Sequence, residues 1–193
     1  MRRLRRKFLA RSALDVAPEL LGKLLVRRLE DGRELVGRIV EVEAYMGPGD
    51  EASHARRGPT PRSAIMFGPP GFAYVYMIYG MHHGMNVVVD RDGVASALLV
   101  RALEPVSGIE GATDGPGKLC RALSIDRALN GEDLVRGERI FLAEDKSPPL
   151  PFVTATRIGV EYAGACAKKP WRFCARDNPF VSRPRPPGTT SKT

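Results

Sequence analysis

Reactive sulfur and metal-binding side chains are scarce in this sequence. Its 193 residues include three cysteines and three histidines. The cysteines are odd in number and form no CxxC pair, so the pattern indicates neither a disulfide framework nor a four-cysteine zinc site. None of His54, His82 and His83 forms the i, i+4 pair of a helical zinc motif. We therefore expect a reducing compartment and no catalytic metal.

Long apolar runs are also absent. No stretch approaches the roughly 20 apolar residues that a membrane-spanning helix needs. Near the N-terminus the segment RRKFL imitates a twin-arginine export signal, but Asp15, Pro18 and Glu19 interrupt the apolar run that should follow. We expect a soluble, intracellular protein with no membrane partner, in the cytoplasm or nucleoid of a bacterium or in a eukaryotic nucleus.

The motifs of the common nucleotide-binding and acyl-transfer enzymes are missing. The sequence has no P-loop, no GxGxxG after a predicted strand and no GxSxG turn, so we expect no nucleotide cofactor and no other cofactor. Lysine is missing from one long segment, between Lys23 and Lys118. That segment lacks the amine that a Schiff-base mechanism uses, which favours water as a nucleophile unless a distant lysine folds in.

Basic residues outnumber acidic ones, and most of them are arginine. Lys plus Arg number 30 against 22 Asp plus Glu, which gives a net charge of +8. Arginine binds phosphate bidentately and stacks on bases, so a polyanionic partner is one interpretation. An Arg-rich, Ala-rich and Pro-rich composition is equally typical of a GC-rich genome. Charge alone does not decide between the two.

Length and composition predict a single domain. A chain of this size has room for one hydrophobic core. We place the domain at residues 1–182, with a basic N-terminal arm over 1–11 that is either flexible or resting on phosphates. Pro, Gly, Ser and Thr from Arg183 onward predict a disordered tail over 183–193. A monomer is the default expectation.

Alternating hydrophobicity and turn signals predict an α+β fold with an antiparallel sheet and flanking helices. The Asp-Gly pair at Asp31 and Gly32 predicts a tight hairpin between the first two strands. Pro18 suits the first position of a short helix before them. The predicted strands cover 24–29, 34–45, 72–78, 86–89, 95–103, 139–142, 152–160 and 171–175, and a longer helix covers 117–129.

Two carboxylates fall on one face of the second predicted strand. With a side-chain period of two, one face carries Ile39, Glu41, Glu43 and Tyr45, and the other carries Val40, Val42 and Ala44. We expect the apolar face to be core and the carboxylate face to meet water or a polar cleft. Glu41 and Glu43 stand roughly 6 to 7 Å apart along the strand, which suits either a glycosidase-like acid and base pair or a solvated strand face.

Aromatic and basic residues surround this strand in the sequence. A loop over 46–70, rich in Gly and Pro, carries His54, and loops of this length are usually functional or disordered. In the next strand Tyr74 and Tyr76 share one face, either as core residues or as a platform on which bases stack. Tyr79 lies just before Gly80, where the predicted strand is interrupted. This position favours exposure and suits a wedge.

Several segments resemble a known family. EVEAYMGPGDEASH, YVYMIYGMHHGMNVVV and LLVRALEP, followed by GPGKLC and a helix, are similar to motifs of the alkyladenine DNA glycosylases, also called 3-methyladenine DNA glycosylases of the mammalian type. The motifs occur in the same order and span residues 20–176. The resemblance implies a mixed α/β domain on a curved antiparallel sheet, with a protruding β-hairpin that enters the DNA minor groove.

The resemblance also implies an activity. Enzymes of this family flip alkylated or deaminated purines, such as 3-methyladenine, 7-methylguanine, hypoxanthine and ethenoadenine, out of duplex DNA. They hydrolyse the N-glycosidic bond without a metal and leave an abasic site without cutting the strand. The expected partner is therefore double-stranded DNA that contains damaged purines, and the expected role is base-excision repair.

Individual roles follow where this sequence matches the family motifs. Glu43 of EAY would be the general base, and Arg101 of VRALEP would contact the target phosphate or position Glu43. Tyr79 and Met81 of IYGM would enter the duplex at the vacated gap. The damaged-base pocket would be formed by Tyr45, Ala52, His54, Tyr76, His82 and Asn86.

The chain departs from the vertebrate-type pattern in two places. His82, His83 and Gly84 stand where those members have bulkier aromatic residues and a cysteine, and the chain after Glu104 is shorter. Neither change affects Glu43. The reaction class is therefore expected to hold, while pocket size and lesion range stay open.

Two other functions compete with this interpretation. A non-catalytic nucleic-acid-binding module would use arginines on phosphates and Tyr79 on a base. A carbohydrate hydrolase would use Glu41 and Glu43 as its pair, although arginines around the cleft disfavour it. Glu43→Gln separates the glycosylase from the pure binder, because a glycosylase keeps lesion binding and loses base release, whereas a pure binder keeps or tightens its binding. Release of sugar from a chromogenic glycoside would indicate the hydrolase.

Overall fold

Eight β-strands form one antiparallel sheet in the residues that the structure, a computed structural model, describes, namely 1–78 and 80–189. The strands are β1 (Leu24–Arg28), β2 (Glu34–Met46), β3 (Ala73–Ile78), β4 (His82–Val88), β5 (Ser96–Ser107), β6 (Ile140–Ala143), β7 (Phe152–Ala155) and β8 (Arg172–Ala175). Their order is β3-β4-β5-β2-β1-β6, and β8 pairs with both β2 and β7. The α-helices are α1 (Arg6–Leu9), α2 (Ala13–Leu20) and α3 (Pro116–Ala122). This arrangement confirms the predicted α+β class.

β2 is the central strand, because it pairs with three others. β5 runs along one edge, while β1 pairs with its first half and β8 pairs with it from Glu41 to Glu43. Neighbours on both edges shield this part of the strand from solvent. Glu41 and Glu43 are consequently both 0% exposed. The carboxylate face was expected to meet either open water or a polar cleft. Open water is wrong, because both carboxylates lie in a buried polar cluster.

A β-bulge shifts the alternation within β2. The pairing of β2 with β5 slips between Ile39 and Glu41 and again between Glu41 and Val42. As a result Ile39 packs in the main core together with Val42 and Ala44, whereas Val40 joins a small cluster with Ala102 and Ala175. The prediction that Ile39 shares a face with the carboxylates is therefore wrong, because an extra residue in a bulge reverses the side-chain phase.

The helices differ from their predicted bounds. α2 begins after Ser12, whose side chain accepts a hydrogen bond from the Leu14 N–H, so Pro18 lies inside the helix rather than at its first position. α3 ends at Ala122 rather than at 129, because Ser124 adopts a positive φ of 51°, and a separate 3₁₀ turn follows over Arg127–Leu129. No helix among the described residues is long and apolar enough to cross a membrane.

Both ends of the described chain pack against the domain. In the basic arm, Leu4 and Leu9 are buried and Arg6 forms a 2.6 Å ion pair with Asp133. In the segment with the composition of a disordered tail, the Pro184 carbonyl accepts a 2.9 Å hydrogen bond from Arg172, so contacts with the domain continue past residue 182. Residues 190–193 of that tail lie outside the described part of the chain.

Candidate active site

Glu43 is held at the centre of the sheet by two hydrogen-bond donors and one guanidinium. Its Oε2 accepts a 2.8 Å bond from the Tyr45 hydroxyl. Its Oε1 accepts a 2.8 Å bond from the Ile158 backbone N–H and lies 3.3 Å from a guanidinium nitrogen of Arg101. The side chain is completely buried, and these contacts fix it in one orientation.

Glu41 has a different environment, although it is only two residues away. Its Oε1 is 3.0 Å from Arg101 Nε and 2.7 Å from Arg172 Nε, and it also accepts a bond from the Ser182 hydroxyl. Its Oε2 accepts a 2.6 Å bond from the Ser182 N–H. Both oxygens are thus engaged by groups of the fold, which makes Glu41 a structural carboxylate.

Arg101 links the two carboxylates. Burial alone would lower the pKa of its guanidinium, but the negative charges of Glu43 and Glu41 outweigh that effect and raise the pKa. The pairing of β5 with β2 puts Arg101 beside both carboxylates, since Ala102 pairs with Glu41 and Val100 pairs with Val42. The predicted alternative in which Arg101 positions Glu43 agrees with this geometry.

A second buried ion pair, between Arg157 and Asp50, contacts the ring of Tyr45. Arg157 binds Asp50 through two bonds of 2.7 and 2.8 Å, and the two side chains are 0% and 1% exposed. Its guanidinium carbon lies 4.7 Å from the ring centroid of Tyr45 and 5.0 Å from that of Trp171. The guanidinium therefore lies against both rings, which restricts the orientation of Tyr45.

Next to Glu43 the fold encloses a cavity of about 540 Å³. Tyr45, Arg101 and Ile158, the three groups that hold Glu43, all line it. A volume of this order is typical of small-molecule sites. The remaining lining residues are Ala52, His54, Arg62, Met66, Tyr74, Tyr76, Met77, Ile78, Asn86, Leu99, Pro116, Gly159, Val160 and Tyr162.

One wall of the cavity is formed by aromatic rings. Tyr74 and Tyr76, on β3, lie with ring centroids 5.2 Å apart, and His54 meets Tyr76 edge to face at 4.7 Å. His54 Nδ1 is 2.9 Å from the Tyr74 hydroxyl. Burial, followed by the charges of Arg62 and Arg56, lowers the pKa of His54 to about 4. The imidazole is therefore neutral at physiological pH and serves as a hydrogen-bonding group.

Most of the sequence-predicted pocket residues meet at this cavity, with one departure. Tyr45, Ala52, His54, Tyr76 and Asn86 line it. Arg101, the predicted phosphate-contacting or positioning residue, also lines it, whereas Glu43 itself lies behind the lining residues that contact it. Asn86 is fixed by a 3.0 Å bond from its side-chain nitrogen to the Tyr74 carbonyl. His82, however, is not among the lining residues, because it packs against the first turn of α3, where a Cβ on Gly117 would lie only 3.1 Å from it.

The β3–β4 hairpin extends from the cavity wall. Met77 is 42% exposed on β3, and Met81 at the tip is 72% exposed. The hairpin thus carries two exposed apolar side chains beside the cavity. Tyr79, the predicted wedge, lies outside the described residues.

The sequence-based predictions missed several residues of the site. Arg157 has no local motif, because its partner Asp50 is 107 positions away. Ile158 acts through its backbone N–H, which no residue type reveals. Tyr162 is 67% exposed at the cavity rim, and its hydroxyl donates to the Ala52 carbonyl. Among the residues that the structure describes, no group of three His, Cys, Asp or Glu side chains could hold a metal ion.

These features define a class: an α+β protein whose central sheet presents a buried carboxylate beside an aromatic cavity. The family model described as methylpurine-DNA glycosylase matches residues 7–179. A relative from Anaeromyxobacter dehalogenans (strain 2CP-1) is 55% identical over 185 residues, which is 95% of this chain and 87% of the relative. One from Alkaliphilus oremlandii is 46% identical over 202 residues, 94% of this chain and 99% of the relative. One from Legionella pneumophila (strain Corby) is 49% identical over 185 residues, 95% of this chain and 100% of the relative.

Each of these relatives is provisionally named a 3-methyladenine DNA glycosylase. The chain belongs to the methylpurine-DNA glycosylase family. Membership confirms the family resemblance of the sequence motifs and makes the protein a DNA-repair enzyme of the glycosylase class.

Proposed function

We propose that this chain receives a damaged purine, extruded from duplex DNA, in its aromatic cavity and hydrolyses the N-glycosidic bond with a water that Glu43 orients and deprotonates. The product is an abasic site. The observation that carries the proposal is the fixed carboxylate of Glu43, held by three groups that themselves line the cavity.

The hydrogen bonds of Glu43 leave it capable of this role. Oε2 accepts only the bond from Tyr45 among the described residues, and a carboxylate oxygen has two lone pairs. Oε2 therefore keeps one acceptor position. Glu43 itself is 0% exposed and does not line the cavity, so we propose that the water reaches it between the lining residues Tyr45 and Arg101. Cleavage at a nucleoside develops positive charge on the sugar, which a nearby carboxylate stabilises. General-base catalysis contributes a further factor of about 10² to 10⁴.

The cavity walls suit a flipped base. Extrusion costs a few kcal/mol of stacking and pairing, and stacking on an aromatic side chain returns about 1 to 3 kcal/mol per base. Tyr45 and Tyr76 supply such faces, while His54 and Asn86 supply polar groups for the base edge. We propose that Met81, exposed at the hairpin tip, enters the gap in the duplex. The wedge role of Tyr79 remains the prediction made from the sequence.

A water mechanism without strand cleavage fits the lining residues. No lysine is among the described residues that line the cavity, so the amine for a Schiff base with the sugar is lacking there. We accordingly propose a monofunctional enzyme acting on alkylated or deaminated purines, of the 3-methyladenine, 7-methylguanine, hypoxanthine and ethenoadenine class. We also propose that the protein is monomeric and intracellular and needs no cofactor.

The decisive experiment uses duplex oligonucleotides that carry one defined lesion, with EDTA present. Base release is followed by chromatography and abasic sites are revealed by alkali. We expect release by the wild type and by the Glu161→Gln control, whose side chain is exposed and does not line the cavity. Glu43→Gln should bind the same duplex and release no base.

Three outcomes would contradict parts of the proposal. Equal base release by Glu43→Gln and the wild type would exclude Glu43 as the base. Strand breaks before alkali would indicate a lyase step. Loss of release in EDTA would indicate a metal requirement.

A further inference from the structure

Arg62 is a cavity-lining residue for which neither the sequence motifs nor the proposed mechanism supplies a role. It lies on the loop between β2 and β3. Its guanidinium carbon is 4.9 Å from the ring centroid of Tyr76, within the range of a cation–π contact. The cation thus lies against one of the rings that form the aromatic wall.

The backbone beneath Arg62 is firmly held. Thr60 and Ser63 exchange two bonds, from each backbone N–H to the other's hydroxyl oxygen, at 3.0 and 3.1 Å. The Ser63 hydroxyl also donates to the Gly58 carbonyl at 3.2 Å. Pro61 fixes its own φ directly before Arg62. The backbone at Arg62 is therefore fixed, even though the side chain itself is exposed.

Arg62 also differs electrostatically from the other cation at the cavity. Arg101 is paired with Glu41 and Glu43. Arg62 has no carboxylate within ion-pair distance among the described residues. His54, beside it, is neutral at physiological pH. Arg62 consequently gives the aromatic wall an uncompensated positive charge.

We propose that Arg62 sets lesion preference, so that the cavity favours neutral damaged purines over cationic alkylated ones. The inference rests on the proposed function and adds a substrate class to it. Aromatic walls by themselves attract cations, and a methylated purine such as 7-methylguanine is one. Here the protein's own cation occupies a position on Tyr76, so a cationic base meets like charge. A neutral purine such as hypoxanthine has no such charge and keeps N7, which is methylated in 7-methylguanine, as an acceptor that the guanidinium can bind.

The test compares single-turnover base release from two duplexes that differ only in the lesion, 7-methylguanine or hypoxanthine. For Arg62→Gln we expect the ratio of the hypoxanthine rate to the 7-methylguanine rate to fall about fivefold, the scale of one exposed cation–π or like-charge contact. Arg62→Lys keeps the charge and should stay near the wild-type ratio. Arg57→Gln removes the same charge from an exposed neighbour outside the cavity lining and should leave the ratio unchanged.

The outcomes separate this inference from the proposed function. An unchanged ratio in Arg62→Gln, with both lesions still released, overturns the role of Arg62 alone. An equal loss on both lesions, with a salt dependence of binding that is weaker by about one phosphate contact, assigns Arg62 to the DNA backbone and also overturns it. Release of neither base by the wild type contradicts the proposed function itself.

Discussion

The hydroxyl of Tyr45 donates a 2.8 Å hydrogen bond to Oε2 of Glu43 on the same strand. Residues two apart on a strand share a face, so β2 brings a cavity wall and a carboxylate together without any loop. Burial, and after it the negative charge of Glu43, raises the pKa of Tyr45 well above its usual value. The proton therefore stays on the tyrosine, and Tyr45 is the donor at every physiological pH.

Tyr45→Phe should separate the two contributions of this residue. The ring that faces the cavity remains, while Glu43 loses one of its donors. We expect a loss of about 1.5 to 3 kcal/mol in the free energy of unfolding, the usual size for a hydrogen bond to a charged group. Base release should slow about tenfold, because Glu43 is no longer fixed. Urea denaturation and single-turnover kinetics measure the two effects.

The control for Tyr45→Phe is Tyr162→Phe, which removes an exposed hydroxyl that donates to the Ala52 carbonyl at 3.4 Å. That variant should change the unfolding free energy by less than about 0.5 kcal/mol. A normal rate of base release in Tyr45→Phe would show that the hydrogen bond does not orient Glu43.

Glu41→Gln and Glu43→Gln should have opposite consequences. One oxygen of Glu41 faces the guanidinium groups of Arg101 and Arg172, and the other faces the Ser182 N–H. Whichever way a glutamine side chain is turned, its NH₂ group therefore meets another donor. We expect a loss of about 3 to 5 kcal/mol in the unfolding free energy, as for a broken buried ion pair. At Glu43 the amide can face Tyr45, whose hydroxyl can accept, so the loss should stay below about 1.5 kcal/mol.

Activity at a temperature where both variants are folded completes this comparison. Glu41→Gln should retain base release in proportion to its folded fraction. Glu43→Gln should be folded and inactive. Equal stability of the two variants would contradict the assignment of Glu41 as a structural carboxylate.

The limits of prediction from sequence are visible within β2 itself. Alternation places Glu41, Glu43 and Tyr45 on one face correctly, because side-chain period is a local property of a strand. The burial of that face depends on β5 and β8, which approach from distant parts of the chain. The bulge that moves Ile39 to the other side depends on the register with β5, which no local signal specifies.

The candidate site follows the same rule. Glu43, Tyr76 and Arg101 lie in segments that resemble the family motifs, so the resemblance alone was enough to single them out as site candidates. Arg157 and the Ile158 N–H come from a segment more than 100 positions away in the chain. Their contribution depends on tertiary packing and on a backbone group, so neither spacing nor residue type reveals it.

His54 should make folding stability depend on pH. Its pKa is near 4 in the folded protein, below the ordinary value of 6.5. Protons therefore bind the unfolded state more tightly, and stability contributed by neutral His54 is present above pH 6.5 and is lost as pH falls toward 4. The wild type should lose more unfolding free energy than His54→Gln between pH 7 and pH 4.5, measured by urea denaturation. Parallel curves would show that the imidazole is not shielded from solvent.

The Arg157 and Asp50 pair should behave as a coupled buried unit. Arg157→Met leaves the buried Asp50 carboxylate without its guanidinium, and we expect a loss of about 3 to 5 kcal/mol in the unfolding free energy. Asp50→Asn should also destabilise the protein. The double variant should lose less than the sum of the single losses, by about 1 to 3 kcal/mol in a double-mutant cycle. Full recovery is not expected, because Arg157 also donates to the carbonyls of Ala44 and Cys166. Additive losses would contradict the coupling.

Met81→Ser tests whether the hairpin tip enters the duplex. Met81 is 72% exposed, so the substitution should change the unfolding free energy by less than about 0.5 kcal/mol. Removing an apolar side chain that fills the gap left by the flipped nucleotide should slow base release from duplex DNA about three- to tenfold. A single-stranded oligonucleotide with the same lesion has no stack to fill, so wild type and variant should act on it at equal rates. Val106→Ser, at an exposed position on β5 away from the hairpin tip, should be normal on both substrates. An equal loss on single-stranded and duplex DNA would place Met81 in contact with the lesion or its backbone rather than in the vacated gap.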